Sequence, residues 1–261
     1  MSSIHDSLRK ITIFEVLIVS LALIGVVLLF DILGYPVSKD WVYVGLILYF
    51  VYRLRFFGDE FKHDLNNIFS KMSFKSVIII VLVNVFFSYG MLYLSIFALD
   101  AIPGFKQFIY APIFSIVGVN SLAGAGALIS TVIISPICEE LTFRGVFLNR
   151  LKYLVPTSFA IVITSILFGA LHGYGSVISA FVFGVCMCII YLKTKNILTC
   201  IFAHFINNLL AEILVHIDTG NLIFTNDIFI VLFSILAIVS VSFPVGPTFP
   251  NNTSATPLPV S

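Results

Sequence analysis

Hydrophobic residues follow one another along this chain in runs much longer than the buried face of an amphipathic helix. A run of about 20 apolar residues forms a helix that spans the ~30 Å hydrocarbon core of a bilayer, where the backbone must satisfy its own hydrogen bonds. Polar residues are concentrated in the breaks between the runs. The pattern predicts eight membrane-spanning helices, over residues 11–30, 38–54, 76–99, 122–148, 157–172, 175–192, 196–217 and 224–243.

The predicted helices form a single domain, residues 1–243, and this makes the fold class all-α. Between the second and third helices, residues 55–75 place Phe61 and Phe69 among charged residues. That pattern is typical of an amphipathic helix lying on the cytoplasmic membrane surface, and a plain linker is the alternative. Residues 244–261 contain several prolines and no charge, so we expect a disordered tail.

The composition agrees with a protein whose surface faces lipid. Hydrophobic residues make up 59% of the 261 positions and charged residues only 10%. A soluble domain carries roughly a quarter of its residues as charged side chains, so this chain could not cover a water-exposed surface. A net charge of +1 without basic clusters in the apolar runs gives no electrostatic surface for nucleic acid.

Positive charges are distributed unevenly over the predicted loops. If the N-terminus is cytoplasmic, only Lys39 and Lys106 of the 14 Lys and Arg residues fall on the outer side. Cytoplasmic loops of membrane proteins are enriched in Lys and Arg. The bias therefore predicts a multi-pass protein of the cell membrane with both termini in the cytoplasm.

Ionisable side chains inside the apolar runs are the candidates for function, because each is unfavourable in hydrocarbon by several kcal/mol unless it is paired or lines a wet cavity. We expect Glu15, near the inner interface, either to extend its carboxylate to the membrane surface or to be locally paired. Glu212 either lines a cavity or makes a structural hydrogen bond. The remaining candidates are Glu139, Glu140, Arg144, His172, His204, Asn207 and Asn208.

Helical spacing divides the candidates into two halves of a site. Glu140 and Arg144 are four residues apart, with the acid first, which favours an ion pair. Adjacent residues point about 100° apart on a helix, so Glu139 is left out of that pair. His204 and Asn208 also share one face. Counting from the cytoplasmic charges brings both halves to a similar depth and leaves His172 deeper than the others.

Two further features concern the packing of the helices. Pro136 frees carbonyl groups in the preceding turn and predicts a kink close to Glu139. Small side chains recur at every fourth position of the sixth helix, at Ser176, Ala180, Gly184 and Cys188. Such a stripe allows a neighbouring helix to approach closely, although ordinary membrane composition would also explain it.

Three short motifs on three predicted helices give these residues a family resemblance. Residues 139–145 read Glu-Glu-Leu-Thr-Phe-Arg-Gly and fit E-E-x-x-x-R with its following glycine. Residues 168–172 fit F-x-x-x-H, and residues 204–208 fit H-x-x-x-N. In this order and spacing the set resembles the CPBP family of intramembrane endopeptidases, which includes CAAX proteases, the Abi proteins and bacteriocin-processing members. The resemblance covers about residues 120–215.

The resemblance implies an eight-helix bundle with a central polar cavity that hydrolyses a peptide bond. It implies that Glu139 activates the attacking water, that His172 helps to hold the water, and that His204 and Asn208 stabilise the oxyanion. Glu140 and Arg144 then support the architecture. The spacing is compatible with this division, because a carboxylate outside an ion pair can act as a general base.

The metal dependence stays open at this point. Glu139, His172 and His204 would make a three-ligand zinc set with a fourth position for water, but the same residues suffice for metal-free water activation, which we favour. The sequence has no HExxH and no GxGD motif, and the serine at 176 stands outside a GxSx arrangement. These absences disfavour the zinc site-2, aspartyl and rhomboid classes of intramembrane protease.

We therefore expect a glutamate-dependent endopeptidase that cleaves a bond near the C-terminal end of a peptide or protein entering from the cytoplasmic side. The sequence leaves open whether this substrate is prenylated or otherwise membrane-associated, a bacteriocin leader, a signal peptide or a pheromone. The alternative is a non-catalytic bacteriocin-immunity or partner-binding protein of the same family. A small transporter is disfavoured because no pair of interrupted helices recurs in two matching halves.

Overall fold

A computed structural model of the chain describes residues 4–35, 37–38, 40–54, 58–100, 125–172 and 177–217, with single positions at 228, 231–232 and 235–236. The predicted tail, residues 244–261, lies outside the described residues, as does most of the eighth predicted helix. The helices in chain order are α1 (Ile4–Leu8), α2 (Ile13–Ile32), α3 (Asp40–Leu54), α4 (Asp59–Asn66), α5 (Phe74–Asp100), α6 (Ala125–Leu154), α7 (Thr157–Ala170), α8 (Val177–Thr194) and α9 (Ile197–Ile217).

Five described helices are long and apolar enough to cross a membrane: α2, α5, α6, α8 and α9. The count rises to six if α3 and α4, which meet at an angle of 106°, form one broken span. Helix α7 has 14 residues, so its length of about 21 Å falls short of the hydrocarbon core. The prediction of a polytopic all-helical membrane protein is confirmed, and the count of eight stays a prediction.

The segment predicted to be an amphipathic helix, residues 55–75, is helical only in part among its described residues. Within residues 55–75, the described helix is α4, which ends at Asn66. The backbone N–H of the next residue, Asn67, donates to carbonyl groups of the last turn. Phe61 and Phe69 are partly buried against the core. The aromatic side of this segment therefore packs on the protein itself.

The α7–α8 contact confirms the expected close approach at the small-residue stripe. A Cβ added to Gly184 would stand 3.1 Å from the Cα of Ser165 on α7, so glycine lets the two backbones meet. Cys188, one turn later, lies with its sulfur 3.9 Å from the Ser165 hydroxyl. Helix α8 packs against α5 and α9 as well, so it lies at the centre of the bundle. Helix α2, in contrast, is mostly exposed.

The N-terminal helix α1 docks against α6 beside the motif glycine. Leu8 is fully buried, and its side chain would stand 2.9 Å from a Cβ at Gly145. His5 is also buried, with Nδ1 2.8 Å from the Tyr191 hydroxyl of α8. Asn149 donates a hydrogen bond of 2.9 Å to the same hydroxyl. Hydrophobic contact and a buried polar network together fix α1 to two membrane helices.

Hydrogen bonds between side chains and backbone groups bring several predicted cytoplasmic loops to one end of the bundle. The backbone N–H of Ile4 donates to Asp64 at 3.1 Å, and Asn196 donates to the Asp64 carbonyl at 2.7 Å. Arg150 donates to the carbonyl groups of Lys10 and Ile11, each at 2.7 Å. The N-terminus, the α4 segment and the α6–α7 and α8–α9 connections therefore share a side.

Glu15 is locally paired, which is one of the two alternatives expected from the sequence, although its partners come from another helix. Its carboxylate accepts hydrogen bonds from Arg53 at 2.9 Å and from the Tyr49 hydroxyl at 3.0 Å, both on α3. Glu15 also completes a capping box with Thr12 at the start of α2. These contacts explain why a carboxylate is tolerated at this position, and no catalytic role is needed to account for it.

Candidate active site

Helix α6 carries Glu139 and Glu140 between two segments of π-helix, Ser130–Ile134 and Leu141–Leu148, and the rest of the first motif lies in the second segment. In the first segment the N–H of Ser135 donates to the carbonyl of Ser130, five residues earlier. Pro136 has no N–H with which to extend this wider register to the next carbonyl, that of Thr131. The predicted local distortion is therefore a π-helical turn that leaves a backbone acceptor available. Such turns are frequent at functional sites.

Glu140 and Arg144 form the ion pair that their spacing predicts. Arg144 Nη1 donates to Glu140 Oε1 at 3.0 Å, and neither side chain is exposed. Arg144 Nη2 donates to the Gly184 carbonyl at 3.3 Å, and the guanidinium carbon lies 4.4 Å from the centre of the Phe168 ring. The pair thus ties α6 to α7 and α8.

His204 completes a three-residue cluster with this pair. Its Nδ1 lies 2.7 Å from the same Oε1 of Glu140 that accepts from Arg144. Because a carboxylate only accepts, His204 carries a hydrogen on Nδ1 and donates it to Glu140. The opposite ring nitrogen, Nε2, lies 3.9 Å from Glu139 Oε2. Glu140 therefore holds the imidazole so that its other edge faces Glu139.

Glu139 stays outside the ion pair, as predicted, and is the more accessible of the two carboxylates. Its side chain is 14% exposed, whereas that of Glu140 is 0% exposed. One oxygen, Oε1, accepts a hydrogen bond from the Ser135 hydroxyl, one helical turn earlier. The second oxygen lies 3.9 Å from His204 Nε2, too far for a direct hydrogen bond, so one polar group beside the pair could contact both atoms.

Asn208 lies one turn after His204 on α9 and is held from two sides. Its Nδ2 donates to the Thr131 carbonyl in the π-helical turn, at 2.9 Å. Its Oδ1 accepts from Asn207 at 3.3 Å, and Asn207 Oδ1 accepts from Asn84 of α5 at 3.1 Å. The amide of Asn208 is thus oriented by backbone on one side and by side chains on the other.

His172 follows the end of α7 and lies across the Phe168 ring from the main cluster. Its Nδ1 donates to the Phe168 carbonyl at 2.8 Å, which leaves Nε2 as an acceptor. The ring centres of His172 and Phe168 are 4.6 Å apart, and those of Phe168 and His204 are 6.0 Å apart. Phe168 therefore stands between the two histidines.

The described residues do not assemble the zinc set that the sequence left open. No group of three or more His, Cys, Asp or Glu side chains with metal-ligating geometry occurs in the described part of the chain. His204 and His172 each bond through Nδ1 and keep Nε2 free, as metal-ligating histidines commonly do. Metal-free water activation therefore stays a prediction.

The structure thus joins Glu139, Glu140, Arg144 and His204 directly, with Asn208 beside them and His172 across an aromatic ring. Glu212 is partly buried, and its carboxylate makes no hydrogen bond with the described residues. Sequence reasoning missed three contributors: Ser135, Thr131 and Asn84. Ser135 could have been found from its i,i+4 relation to Glu139, and Asn84 from its polar side chain in an apolar run.

The comparisons with known proteins concern the segment that carries this cluster. Residues 120–210 match a protein family described as Type II CAAX prenyl endopeptidase Rce1-like. No curated protein and no solved structure matches the chain. The matched segment includes all three motifs, so the family resemblance that they indicate is confirmed for this part of the protein.

Proposed function

We propose that this multi-pass membrane protein, whose residues 120–210 match the family described as Type II CAAX prenyl endopeptidase Rce1-like, cleaves a peptide bond with a water molecule activated by Glu139. The observation that carries the proposal is the different environment of two adjacent carboxylates. Glu140 is fully buried and neutralised by Arg144, whereas Glu139 is accessible and outside the ion pair. Environments that separate two acids in this way assign them different roles.

Glu139 acts as the general base. A water molecule that contacts both Glu139 Oε2 and His204 Nε2 gives a proton to the carboxylate, and its oxygen attacks the carbonyl carbon of the scissile bond. The Ser135 hydrogen bond to Oε1 holds the carboxylate so that Oε2 is the oxygen that meets the water. The protonated Glu139 then returns the proton to the nitrogen of the leaving peptide, which restores the carboxylate.

His204 and Asn208 stabilise the oxyanion that forms on the carbonyl oxygen. Asn208 has a second N–H beyond the one donated to Thr131, and that N–H is available to the oxyanion. A proton taken from solvent at His204 Nε2 makes that nitrogen the second donor, and the Glu140 carboxylate at 2.7 Å supports the resulting positive charge. The resemblance also gives His172, whose Nε2 is free to accept, the role of helping to hold the water.

The substrate of this proposal is a peptide or protein chain that reaches the site from the cytoplasmic face. The family description refers to prenylated CAAX proteins, so a prenylated peptide is the first substrate to test. In the proposed orientation both termini are cytoplasmic, and α1 packs on the same face as the entrance.

The decisive test compares the wild-type protein with Glu139→Gln on a quenched fluorescent peptide that ends in a farnesylated Cys-aliphatic-aliphatic-X sequence. Glutamine keeps the size and the hydrogen bond from Ser135 but cannot take a proton. We expect cleavage to fall at least ~100-fold, with unchanged thermal stability. Glu15→Gln, which alters a membrane carboxylate outside the site, is the matched control and should cleave like wild type.

Two further experiments distinguish the metal-free enzyme from a zinc enzyme and from a non-catalytic immunity protein. A strong chelator should leave cleavage unchanged, and full loss of activity restored by added zinc would overturn the metal-free mechanism. Wild-type cleavage by Glu139→Gln would remove the general base from the proposal. If neither protein cleaved any peptide while both protected cells from a bacteriocin, the immunity protein would replace the enzyme.

A further inference from the structure

Three asparagine amides form a row that runs from α5 to the active site. Asn84 Nδ2 donates to Asn207 Oδ1 at 3.1 Å, and Asn207 Nδ2 donates to Asn208 Oδ1 at 3.3 Å. Asn208 Nδ2 ends the row by donating to the Thr131 carbonyl at 2.9 Å. Each amide therefore presents its nitrogen to the oxygen of the next.

The direction of the row decides which end of the Asn208 amide faces the site. Its oxygen is occupied by Asn207, and one of its two N–H groups is occupied by Thr131. The second N–H is the remaining donor. A rotation that exchanged oxygen and nitrogen would set donor against donor at Asn207 and acceptor against acceptor at Thr131. The row thus keeps an N–H, and not an oxygen, available to a developing negative charge.

An asparagine at position 84 is unfavourable for the stability of the fold, so its amide is expected to have another role. It is 3% exposed on a helix whose neighbours in sequence are apolar, and its Oδ1 has no hydrogen-bond partner among the described residues. A buried polar atom without a partner is unfavourable by about 1–3 kcal/mol. A leucine of similar volume would avoid this loss. Stability alone therefore does not account for an asparagine here.

We propose that Asn84 is a positioning residue of the active site, which fixes the amide of Asn208 through Asn207. This inference rests on the proposed oxyanion role of Asn208. It concerns a helix outside the matched segment of residues 120–210 and assigns α5 a part in the chemistry. The first amide orients the second, the second orients the third, and chains of hydrogen bonds polarise one another in a medium of low dielectric constant.

The test is a double-mutant cycle of Asn84→Leu and Asn208→Ala, with kcat and KM measured on the farnesylated peptide. Misplacing a catalytic group by about 1 Å lowers rates up to ~100-fold, so we expect Asn84→Leu to lower kcat about 10-fold or more with KM unchanged. In the Asn208→Ala background, the second substitution should change kcat less than about 2-fold, because its target is gone. Thermal stability should not fall.

Val85→Ala is the matched control, because Val85 is the buried apolar neighbour of Asn84 on α5. It should lower the unfolding temperature and leave kcat unchanged. Asn207→Leu breaks the same row at its middle and should reproduce the kcat loss, so the inference can be tested even if Asn84→Leu does not fold.

The outcomes separate this inference from the proposed function. If Asn208→Ala is impaired while Asn84→Leu and Asn207→Leu cleave like wild type, the positioning role is wrong and the oxyanion role stands. If the kcat losses of Asn84→Leu and Asn208→Ala multiply, Asn84 acts independently and the row is not a positioning device. If Asn208→Ala itself cleaves like wild type, the oxyanion role fails and the positioning role fails with it.

Discussion

The two adjacent carboxylates of the first motif differ because each meets a different set of neighbours. Glu140 Oε1 accepts from both Arg144 and His204, and its side chain is inaccessible. Removing one partner of a buried pair leaves an uncompensated charge, which destabilises a protein by about 3–5 kcal/mol. Glu139 has a single hydroxyl partner and partial exposure, so its loss strands no charge.

We predict that Glu140→Ala unfolds at a clearly lower temperature than Glu139→Ala, by the equivalent of about 3 kcal/mol or more. Thermal unfolding of the two purified variants in the same detergent measures this difference. A double variant, Glu140→Leu with Arg144→Leu, should recover most of the loss because it removes both charges. Equal unfolding temperatures for the two single variants would contradict the assignment of Glu140 to the architecture.

Contacts within one helix could be predicted from the sequence, and contacts between helices could not. The Glu140–Arg144 pair, the separation of Glu139 and the common face of His204 and Asn208 follow from helical spacing alone. The hydrogen bond from His204 to Glu140 and the Asn84 row depend on how α6, α9 and α5 pack. Nothing in a single sequence sets those distances. His172 was predicted to be the outlier, and it lies beyond the end of α7.

At the scale of the helices, α6 carries the carboxylates of the site and makes contacts on both sides of them. The sequence predicts one helix with a kink near Pro136, and the structure has a helix from Ala125 to Leu154 with two π-helical segments. Wider turns change which side chains face a neighbour, so a count at 3.6 residues per turn cannot give every contact. The acceptor at Thr131 arises in this way. At its other end, α6 receives α1 beside Gly145.

The docking of α1 predicts a pH dependence of stability. Burial, followed by the positive charge of Lys195, lowers the pKa of His5 from 6.5 to about 4. The folded protein therefore keeps His5 neutral where the unfolded chain binds a proton. Stability should be complete above pH 6.5 and should fall as the pH drops towards 4, by about 3 kcal/mol at most.

Unfolding temperatures measured between pH 4 and pH 7.5 test this prediction. His5→Gln should flatten the dependence in this range, because glutamine keeps a hydrogen bond with Tyr191 and does not titrate. An identical slope in His5→Gln and wild type would show that α1 docking does not depend on a neutral histidine.

At the scale of the whole molecule, the distribution of charge and the packing agree on which segments share a face. The loops that the basic residues assign to the cytoplasm meet at one end of the bundle, through Asp64, Asn196 and Arg150. These contacts show that the segments lie at the same end of the bundle, but they do not show which side of the membrane that end faces. The excess of Lys and Arg is therefore what predicts the orientation, and the orientation decides from where a substrate enters.

We predict that single cysteines at Lys62 and Lys193 react with a membrane-impermeant thiol reagent only from the cytoplasmic side, and that cysteines at Tyr35 and Ile217 react only from outside. All four positions are exposed, the first pair at the end of the bundle where α1 docks and the second pair at the far ends of α2 and α9. The native cysteines are buried or partly buried and give the background signal, which the unmodified protein measures. Labelling of intact cells and of inverted vesicles gives the side directly. Reversed labelling of both pairs would keep the fold and the active site but would place the entrance on the outer face, and cytoplasmic substrates would then be excluded.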